Sequence, residues 1–199
     1  MKFENAKFIK SSGAKADYPP YNYPEYAFWG RSNVGKSSLI NMILGKKNLV
    51  KTGSRPGMTQ LINFFTADDT LSFADLPGYG YAKAPVSVKK GFTTMIKTYA
   101  EKRKNLRLAF LLIDIRRVPD EAEIEVIEML SDLKIPVAVV LTKCDKVSGN
   151  TRSNNLSKIS QALDISRENF FFSSTLTGEG KKELRRLIQD FKTTTISES

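Results

Sequence analysis

Residues 30–37 have the residue types and spacing of a phosphate-binding loop. They read Gly-Arg-Ser-Asn-Val-Gly-Lys-Ser and fit the pattern G-x-x-x-x-G-K-[ST] at every fixed position. Glycines let the backbone wrap a phosphate, Lys36 would reach the outer phosphates, and the Ser37 hydroxyl would ligate Mg²⁺. The alternative is an ordinary Gly/Ser-rich turn. A strand-like apolar run at residues 26–29 and helical spacing over residues 38–44 favour the phosphate loop.

Two further segments could contact the outer phosphate and the metal. Asp75 follows a predicted strand in an Asp-x-x-Gly sequence, so its carboxylate could hold the Mg²⁺ shell while Gly78 offers its N–H to a γ-phosphate. A bare Asp-Leu-Pro-Gly is also a common turn. Thr59 ends a long Gly/Pro-rich loop, where its hydroxyl and carbonyl suit Mg²⁺ and the γ-phosphate. An ordinary strand-entry threonine is the alternative there, and Thr52 and Thr66 compete for the role.

Residues 142–145, Thr-Lys-Cys-Asp, follow a buried strand pattern and would select the base. An ionised Asp145 can accept hydrogen bonds from two adjacent N–H donors of guanine, whereas adenine would leave the carboxylate unpaired. The stem of Lys143 would pack over the base. Residues 173–175, Ser-Ser-Thr, follow the last predicted strand and could support the base through backbone groups. Cys144 is interpreted as a small buried residue without chemistry.

The composition is that of a globular protein with an anionic partner. The chain has 199 residues, a formal net charge of +10 and a pI near 9.6, which favours a partner such as nucleic acid. Its single cysteine allows no intramolecular disulfide, and its apolar runs are too short to span a bilayer. No apolar core of a secretory signal opens the sequence. We therefore expect a cytoplasmic protein.

Basic residues form three clusters that could contact RNA phosphates. The clusters are Lys102-Arg103-Lys104 with Arg107, Lys89-Lys90, and Lys181-Lys182 with Arg185-Arg186. The alternative is that they are solvated surface, or that they complement the dipole at the end of a helix.

Apolar periodicity predicts alternating strands and helices in one domain. Strands are predicted at residues 26–29, 61–67, 71–74, 108–114, 136–141 and 170–172, and helices at residues 38–44, 88–104, 120–133, 151–163 and 181–191. Gly45 is the predicted C-cap of the first helix, and Asn150 or Thr151 the N-cap of the fourth. The fold class is α/β, a six-stranded, mostly parallel sheet with one antiparallel hairpin and helices on both faces.

The predicted domain boundaries follow from the same pattern. Residues 1–24 form an N-terminal extension with a candidate short strand around residues 7–10, residues 25–192 form the nucleotide-binding domain, and residues 193–199 form a disordered tail. Ligands of such sheets bind beyond the carboxyl ends of the strands, where all the motifs above are expected. Their order along the chain predicts a guanine nucleotide switch.

Three stretches resemble the EngB (YihA/YsxC) GTPases. They are Phe-Trp-Gly-Arg-Ser-Asn-Val-Gly-Lys-Ser-Ser-Leu-Ile-Asn, Arg-Pro-Gly-Met-Thr-Gln-Leu-Ile-Asn-Phe-Phe and Asp-Leu-Pro-Gly-Tyr-Gly-Tyr-Ala-Lys. The resemblance runs over residues 8–191 and implies a P-loop GTPase (Ras-like) fold. It also implies a bacterial cytoplasmic GTPase that takes part in assembly of the large ribosomal subunit and is associated with septum formation in cell division.

The resemblance also carries over nucleotide-binding positions by motif. These are Gly30, Arg31, Ser32, Asn33, Val34, Gly35, Lys36, Ser37, Gly57, Met58, Thr59, Gln60, Leu61, Asp75, Leu76, Pro77, Gly78, Thr142, Lys143, Cys144, Asp145, Phe172, Ser173 and Ser174. The implied Mg²⁺ ligands are Ser37 and Thr59, beside the Asp75 already inferred. Catalytic contributions are expected from Lys36, Thr59, Gly78 and Asn33. Trp29 replaces a usually smaller residue of the family, and Met58 a usually basic one.

We therefore expect a Mg²⁺-dependent GTPase. Its expected partners are GTP and GDP, ribosomal RNA and a precursor of the large ribosomal subunit. It is expected to be a monomer and not to bind a membrane. Asn33 resembles a residue that helps to bind K⁺ in related GTPases. Hydrolysis should be slow, because Tyr79 stands where many GTPases have the water-orienting glutamine. Two rivals are a module that holds GTP or GDP and barely hydrolyses GTP, which Tyr79 keeps open, and an ATPase, against which Asp145 argues. A membrane-surface role through the basic charge is unsupported, because the sequence shows no strongly amphipathic basic helix with exposed large apolar residues.

Overall fold

The structure is a computed structural model that describes residues 3–13, 17–20, 22–50, 61–79 and 86–192, with only the backbone for residues 86–93. Its strands are β1 (Ala6–Ser12), β2 (Glu25–Gly30), β3 (Ile62–Ala67), β4 (Leu71–Asp75), β5 (Leu106–Asp114), β6 (Val137–Thr142) and β7 (Phe170–Phe172). Its α-helices are α1 (Lys36–Leu44), α2 (Val86–Lys102), α3 (Glu121–Asp132), α4 (Gly149–Leu163) and α5 (Lys181–Asp190).

The described strands form one sheet in the order β1-β3-β4-β2-β5-β6-β7. The pairs β2–β4, β2–β5, β5–β6 and β6–β7 are parallel, whereas β3 runs antiparallel to both β4 and β1. The predicted α/β class and the hairpin are thus confirmed. The carboxyl ends of β2, β4, β5, β6 and β7 lie at one edge, which brings the loops that follow them together.

The described part of the chain forms a sheet of seven strands where six were predicted. The additional strand, β1, lies in the predicted N-terminal extension, around the candidate strand at residues 7–10, and pairs with β3 from Ala6↔Ala67 to Ser12↔Ile62. Its residues are mostly exposed or half-buried, so it lacks the apolar run that identified the other strands. Backbone pairing to the edge of β3 supplies what the side-chain pattern does not.

Alternation along the central strands divides the core between the two faces of the sheet. Tyr26 and Phe28 of β2 pack with α1 and α5, while Ala27 and Trp29 pack with α2, α3 and α4. All four residues are fully buried. A strand covered on both faces reads as a continuous apolar run, which is why β2 and β5 were recognisable in the sequence.

Local hydrogen bonds fix the helix ends close to their predicted positions. Gly45 is the C-cap of α1 as predicted, with its N–H directed to the carbonyls of Asn41 and Met42. The N-cap of α4 is Ser148, so the prediction of Asn150 or Thr151 is wrong. Ser148 accepts from the Thr151 amide, because the helix begins two residues earlier than its apolar pattern indicates.

A buried ion pair corrects the interpretation of one basic cluster. Arg103 and Glu25 have no exposed side-chain surface, and the Arg103 Nε donates to Glu25 Oε1 at 2.7 Å. The Arg103 Nη1 donates to the carbonyl of Pro19 at 2.7 Å, and the Tyr99 hydroxyl donates to the same carboxylate. Arg103 therefore holds α2 against β2, and it is not available to RNA as predicted for the cluster at residues 102–104.

Arg185 of the third cluster is also engaged within the fold. Its Nε donates to the Ile43 carbonyl at 2.7 Å, and its guanidinium lies 5.2 Å from the ring centre of Phe3. Burial lowers the pKa of Arg185. Its exposed neighbours Lys182 and Arg186 remain candidates for contact with an anion. Within the described ranges, no helix has the length and apolar character needed to cross a membrane.

Candidate functional site

The loop at residues 30–37 joins the end of β2 to the start of α1, as the phosphate-loop pattern requires. Lys36 is the first residue of α1, so the helix N-terminus with its unpaired N–H groups opens at this loop. Gly35 has φ 103°, a left-handed conformation that favours glycine. The strand before the loop and the helix after it are confirmed, and the geometry is that of an anion-binding turn.

Asp75 is placed beside this loop by strand pairing. It is the last residue of β4 and lies in register with Phe28 of the parallel strand β2. Its carboxylate forms an ion pair with the ammonium group of Lys36, and both side chains are almost fully buried. Ser37, the second residue of α1, is half-buried next to Lys36. The carboxylate and the ammonium group that were predicted to handle metal and phosphate thus lie together, and Ser37 is the next residue of the helix.

The end of the Asp-x-x-Gly segment packs directly on the phosphate loop. The Ser32 amide donates to the Tyr79 carbonyl at 2.9 Å, and the Tyr79 amide donates to the Gly30 carbonyl at 3.3 Å. A Cβ atom on Gly78 would lie 3.0 Å from the Cα, N and Oγ of Ser32, so only glycine fits this approach without displacement. Leu76 is buried, and Pro77 and Gly78 are half-buried.

The end of β6 and the residue after it contact the phosphate loop from another side. The Thr142 hydroxyl donates to the Val34 carbonyl at 2.7 Å. Lys143 adopts a left-handed backbone with φ 60°, and its Nζ donates to the Asn33 carbonyl at 2.7 Å. The phosphate loop and the predicted base-selecting segment are therefore directly connected by two side chains.

A carboxylate lies where the guanine edge was expected to bind. The Ser174 hydroxyl donates to Asp145 Oδ1 at 2.7 Å. That hydrogen bond, opposed by partial burial, lowers the pKa of Asp145, so the residue stays ionised at neutral pH. The Cys144 amide donates to the Ser173 carbonyl at 3.1 Å, which fixes the two loops side by side. Cys144 is buried and burial raises the pKa of its thiol, in agreement with its assignment as a packing residue.

Strand β7 contributes Phe172, whose ring lies 4.0 Å, measured from its centre, from the guanidinium carbon of Arg152 on α4. The same arginine pairs with Glu179, which stands in the loop between β7 and α5. The Ser173 amide donates to the Leu141 carbonyl at 2.8 Å. These contacts carry the end of β7 to the side of β6, where Asp145 lies.

Sequence reasoning missed Asp114 as a site residue, although it predicted the strand that this residue ends. The Asp114 carboxylate lies 3.0 Å from Lys143 Nζ and accepts from Arg116 Nη2 at 2.7 Å. Burial alone would raise the pKa of Asp114, but hydrogen bonds from Arg116 and Lys143 lower it by more. The net shift of the pKa is therefore downward. An acidic residue ending a buried strand at the ligand edge was the available signal.

The structure also joins Arg31 to the start of α3. The Arg31 Nη1 lies 2.7 Å from Asp120 Oδ2, and Asp120 is the N-cap of α3. A cavity of about 300 Å³ lies between the phosphate loop and α3, and its lining includes Arg31, Asn33, Asp114, Arg117, Glu123 and Lys143. This side of the phosphate loop was not identified from the sequence.

Part of the predicted site lies outside the described residues. Gly57, Met58, Thr59 and Gln60 belong to this part, as does the competing Thr52. Leu61, which follows them, is exposed at the start of β3. Thr66 lies within β3 in register with Ser72 of β4, away from the end of the loop at which a metal-binding threonine was expected.

Comparison with known proteins places this arrangement in a family. Residues 25–143 match the profile of a family described as 50S ribosome-binding GTPase. A probable GTP-binding protein EngB of Citrifermentans bemidjiense is 49% identical over 181 residues, which cover 91% of this chain and 85% of the relative. This chain belongs to the EngB family of GTPases.

Further matches agree with the membership. The probable GTP-binding protein EngB of Syntrophotalea carbinolica is 47% identical over 184 residues, 92% of this chain and 89% of the relative. A crystal structure of a probable GTP-binding protein EngB superposes with a TM-score of 0.70 at 26% identity, covering 84% of this chain and 97% of that chain.

A more distant structure shares the fold alone. Aquifex aeolicus Era bound to GDP and AlF₄⁻ matches with a TM-score of 0.63 at 20% identity, covering 86% of this chain and 57% of that chain. As an EngB-family member, the chain has the P-loop GTPase fold, binds guanine nucleotides and belongs to a family of GTP-hydrolysing proteins.

Proposed function

We propose that this EngB-family GTPase is a Mg²⁺-dependent cytoplasmic switch that hydrolyses GTP slowly and acts in assembly of the large ribosomal subunit. The observation that carries the nucleotide part is the hydrogen bond from Ser174 to Asp145 beside a phosphate loop at the same sheet edge. It holds an ionised carboxylate in a fixed position that suits the two adjacent N–H donors of guanine.

The residues present suit Mg²⁺. A hydroxyl from Ser37 and a carboxylate from Asp75 are hard oxygen donors, and Mg²⁺ commonly takes one or two protein ligands together with phosphate oxygens and water. Thr59 is the third protein ligand of this proposal. When bound, Mg²⁺ neutralises charge on the β- and γ-phosphates. Lys36, now paired with Asp75, would turn to the phosphates as the carboxylate turns to the ion.

The chain's own residues would position the triphosphate more than react with it. The phosphate-loop amides and Lys36 would hold the phosphates, Gly78 would bind the γ-phosphate, and Lys143 would pack on the base. Tyr79 cannot act as a water-orienting glutamine, because it lacks an amide group. Slow intrinsic hydrolysis follows, with extra charge stabilisation supplied by the ribosomal particle.

K⁺ is a second source of that stabilisation in this proposal. Asn33 is exposed in the phosphate loop with φ 63°, a conformation that asparagine tolerates better than most residues. Its backbone carbonyl is occupied by Lys143, which leaves the side chain as the candidate ligand. Hydrolysis should be faster in K⁺ than in Na⁺, and Asn33→Ala should remove the difference. Equal rates in the two salts, with the variant also unchanged, would remove K⁺ from the proposal.

The ribosomal partner is supported by charge and by family. A net charge of +10 exceeds what a nucleotide site requires, and Lys102, Lys104, Lys182 and Arg186 are exposed. The matching family is described as ribosome-binding. Backbone phosphates would supply most of the affinity, largely without base readout.

One experiment tests both the nucleotide part and the ribosomal part of this proposal. The protein is loaded with GTP, a non-hydrolysable GTP analogue, GDP or ATP and sedimented with large-subunit precursors, while phosphate release is followed with and without the particles. We expect binding with the GTP analogue above binding with GDP, and particle-stimulated GTP turnover. Equal binding with all nucleotides would contradict the switch, and equal competition by ATP would contradict the base assignment.

A further inference from the structure

Tyr79, the residue directly after Asp-x-x-Gly, is held from three sides. Its carbonyl accepts from the Ser32 amide and its amide donates to the Gly30 carbonyl. Its hydroxyl donates to Glu123 Oε1 at 3.2 Å, and the whole residue is only 6% exposed. Burial, together with the charge of Glu123, raises the pKa of Tyr79, so its hydroxyl keeps the proton that it donates. A side chain at the γ-phosphate end of the site is thus turned into the core.

Glu123 is a buried carboxylate that serves two segments. It is 1% exposed, and its Oε2 accepts from the Asp120 amide at 2.9 Å in the capping box of α3. Its other oxygen receives the Tyr79 hydroxyl, while Arg117 Nη1 lies 3.8 Å away. A buried carboxylate is costly unless it is hydrogen-bonded, so the contact with Tyr79 stabilises the inward position.

The start of α3, which contacts the Tyr79 hydroxyl through Glu123, is itself bonded to the phosphate loop. Asp120, the other half of the capping box, pairs with Arg31 of that loop at 2.7 Å. The start of α3 and the phosphate loop therefore form one unit, and Tyr79 is docked between them. Gly78 lies against Ser32 of the same unit. If Gly78 is drawn to a γ-phosphate, as in the proposed function, the adjacent Tyr79 must shift relative to Glu123.

We propose that Glu123 is a positioning residue that retains Tyr79 in the inward position, and that binding of a nucleoside triphosphate, but not of a diphosphate, breaks the Tyr79–Glu123 hydrogen bond. The bond then weakens GTP binding relative to GDP binding. A ligand shifts such an equilibrium only by its difference in affinity for the two positions, so the strength of this contact sets part of the GTP-to-GDP preference. This inference uses the proposed role of Gly78.

The test is the ratio of the association constants for a non-hydrolysable GTP analogue and for GDP. Tyr79→Phe removes the hydroxyl and keeps the ring in the core, so it should raise the ratio about three- to tenfold, the range of one hydrogen bond. Glu123→Gln keeps one acceptor oxygen for the Asp120 amide of the capping box, and its NH₂ group can donate to the Tyr79 oxygen. The charge is lost but a hydrogen bond remains, so this variant should raise the ratio less. The double variant should not exceed Tyr79→Phe, because both changes remove the same contact.

Glu125→Gln is the matched control, since Glu125 is an exposed carboxylate on the same helix. It should leave the ratio unchanged. If the contact only stabilised the fold, its removal would lower the melting temperature and reduce the affinities for both nucleotides by the same factor. An unchanged ratio in folded Tyr79→Phe, or equal effects of Glu123→Gln and Glu125→Gln, would overturn the inference. If the wild-type protein bound ATP as tightly as GTP, the proposed function itself would be overturned instead.

Discussion

At the scale of single residues, the guanine assignment depends on one charge in one position. Asp145 was identifiable from the sequence because it follows a buried strand in Thr-Lys-x-Asp, and strand ends meet at the ligand edge. Its partner Ser174 was foreseen only as backbone support for the base. The contact of the Ser174 hydroxyl with Asp145 depends on the register of β7 against β6. The sequence of a strand as short as β7 gives little indication of that register.

The Asp145→Asn variant should prefer xanthine nucleotides to guanine nucleotides. The new amide can donate to the C2 oxo group of xanthine, whereas it cannot accept from both guanine donors. We expect GTP affinity to fall by at least about tenfold, the value of a hydrogen bond to a charged group, and XTP affinity to rise. Nucleotide competition measures both. Wild-type GTP affinity in this variant would show that Asp145 does not read the base.

Asp114 should support nucleotide binding through Lys143, without touching the nucleotide. Asp114→Asn keeps an acceptor oxygen for the Lys143 ammonium group but removes the charge, which roughly halves the strength of such a hydrogen bond, so GDP should dissociate about three- to tenfold faster. Stopped-flow displacement of a fluorescent GDP measures this. Glu121→Gln, which changes an exposed carboxylate on α3, is the control and should not alter the rate.

The same carboxylate predicts a pH dependence of stability. Because the pKa of Asp114 is lower in the folded chain, its contribution to the free energy of unfolding is present above the ordinary aspartate value of about 3.9. It is lost as pH falls below that value through the folded pKa. The stability difference between wild type and Asp114→Asn, measured by urea unfolding, should be constant from neutral pH to about pH 4 and shrink below it. A difference that grows toward acid pH would contradict the assignment.

At the scale of elements, the buried strands were predicted well and the ends and edges less well. β2 and β5 read as apolar runs because both of their faces are covered. Arg103 was misread because Lys102 and Lys104 on either side are exposed, and nothing in a basic run marks its middle member as buried. Its partner Glu25 lies 78 residues away, so only the packing of α2 on the sheet reveals the pair.

Arg103→Ala should therefore destabilise the fold. It leaves the Glu25 carboxylate buried without its cation, which costs about 3–5 kcal/mol when one partner of a buried pair is removed. Lys102→Ala and Lys104→Ala remove exposed cations on either side and should change stability by less than about 0.5 kcal/mol. Chemical unfolding compares the three. Equal stabilities would mean that the pair contributes nothing.

At the scale of the whole molecule, the excess of positive charge should appear as a salt dependence of particle binding. Lys102 and Lys104 changed together to Ala, with Arg103 retained, should reduce affinity and make the slope of log K against log salt shallower by about 0.7 to 0.9 for each lost phosphate contact. The pair Lys182 and Arg186 is tested in the same way.

A variant with Lys7 and Lys158 changed to Ala loses the same charge from exposed positions outside these clusters and serves as the control. If the cluster variants and the control behave alike, charge acts through the long-range field of the protein and not through contacts. The basic clusters are then solvated surface.

The position of β7 in the sheet has a consequence for how the protein is made. Among the described strands, β7 is both the last along the chain and an edge of the sheet, and it delivers Ser174 to Asp145. α5, which follows it, packs Leu184 and Ile188 into the core beneath α1. A nascent chain whose residues beyond α4 are still in the ribosomal exit tunnel therefore already has its phosphate loop and Asp145, but it lacks the Ser174 hydroxyl that fixes this carboxylate. We therefore expect the preference for guanine nucleotides to be complete only after β7 and α5 have joined the sheet.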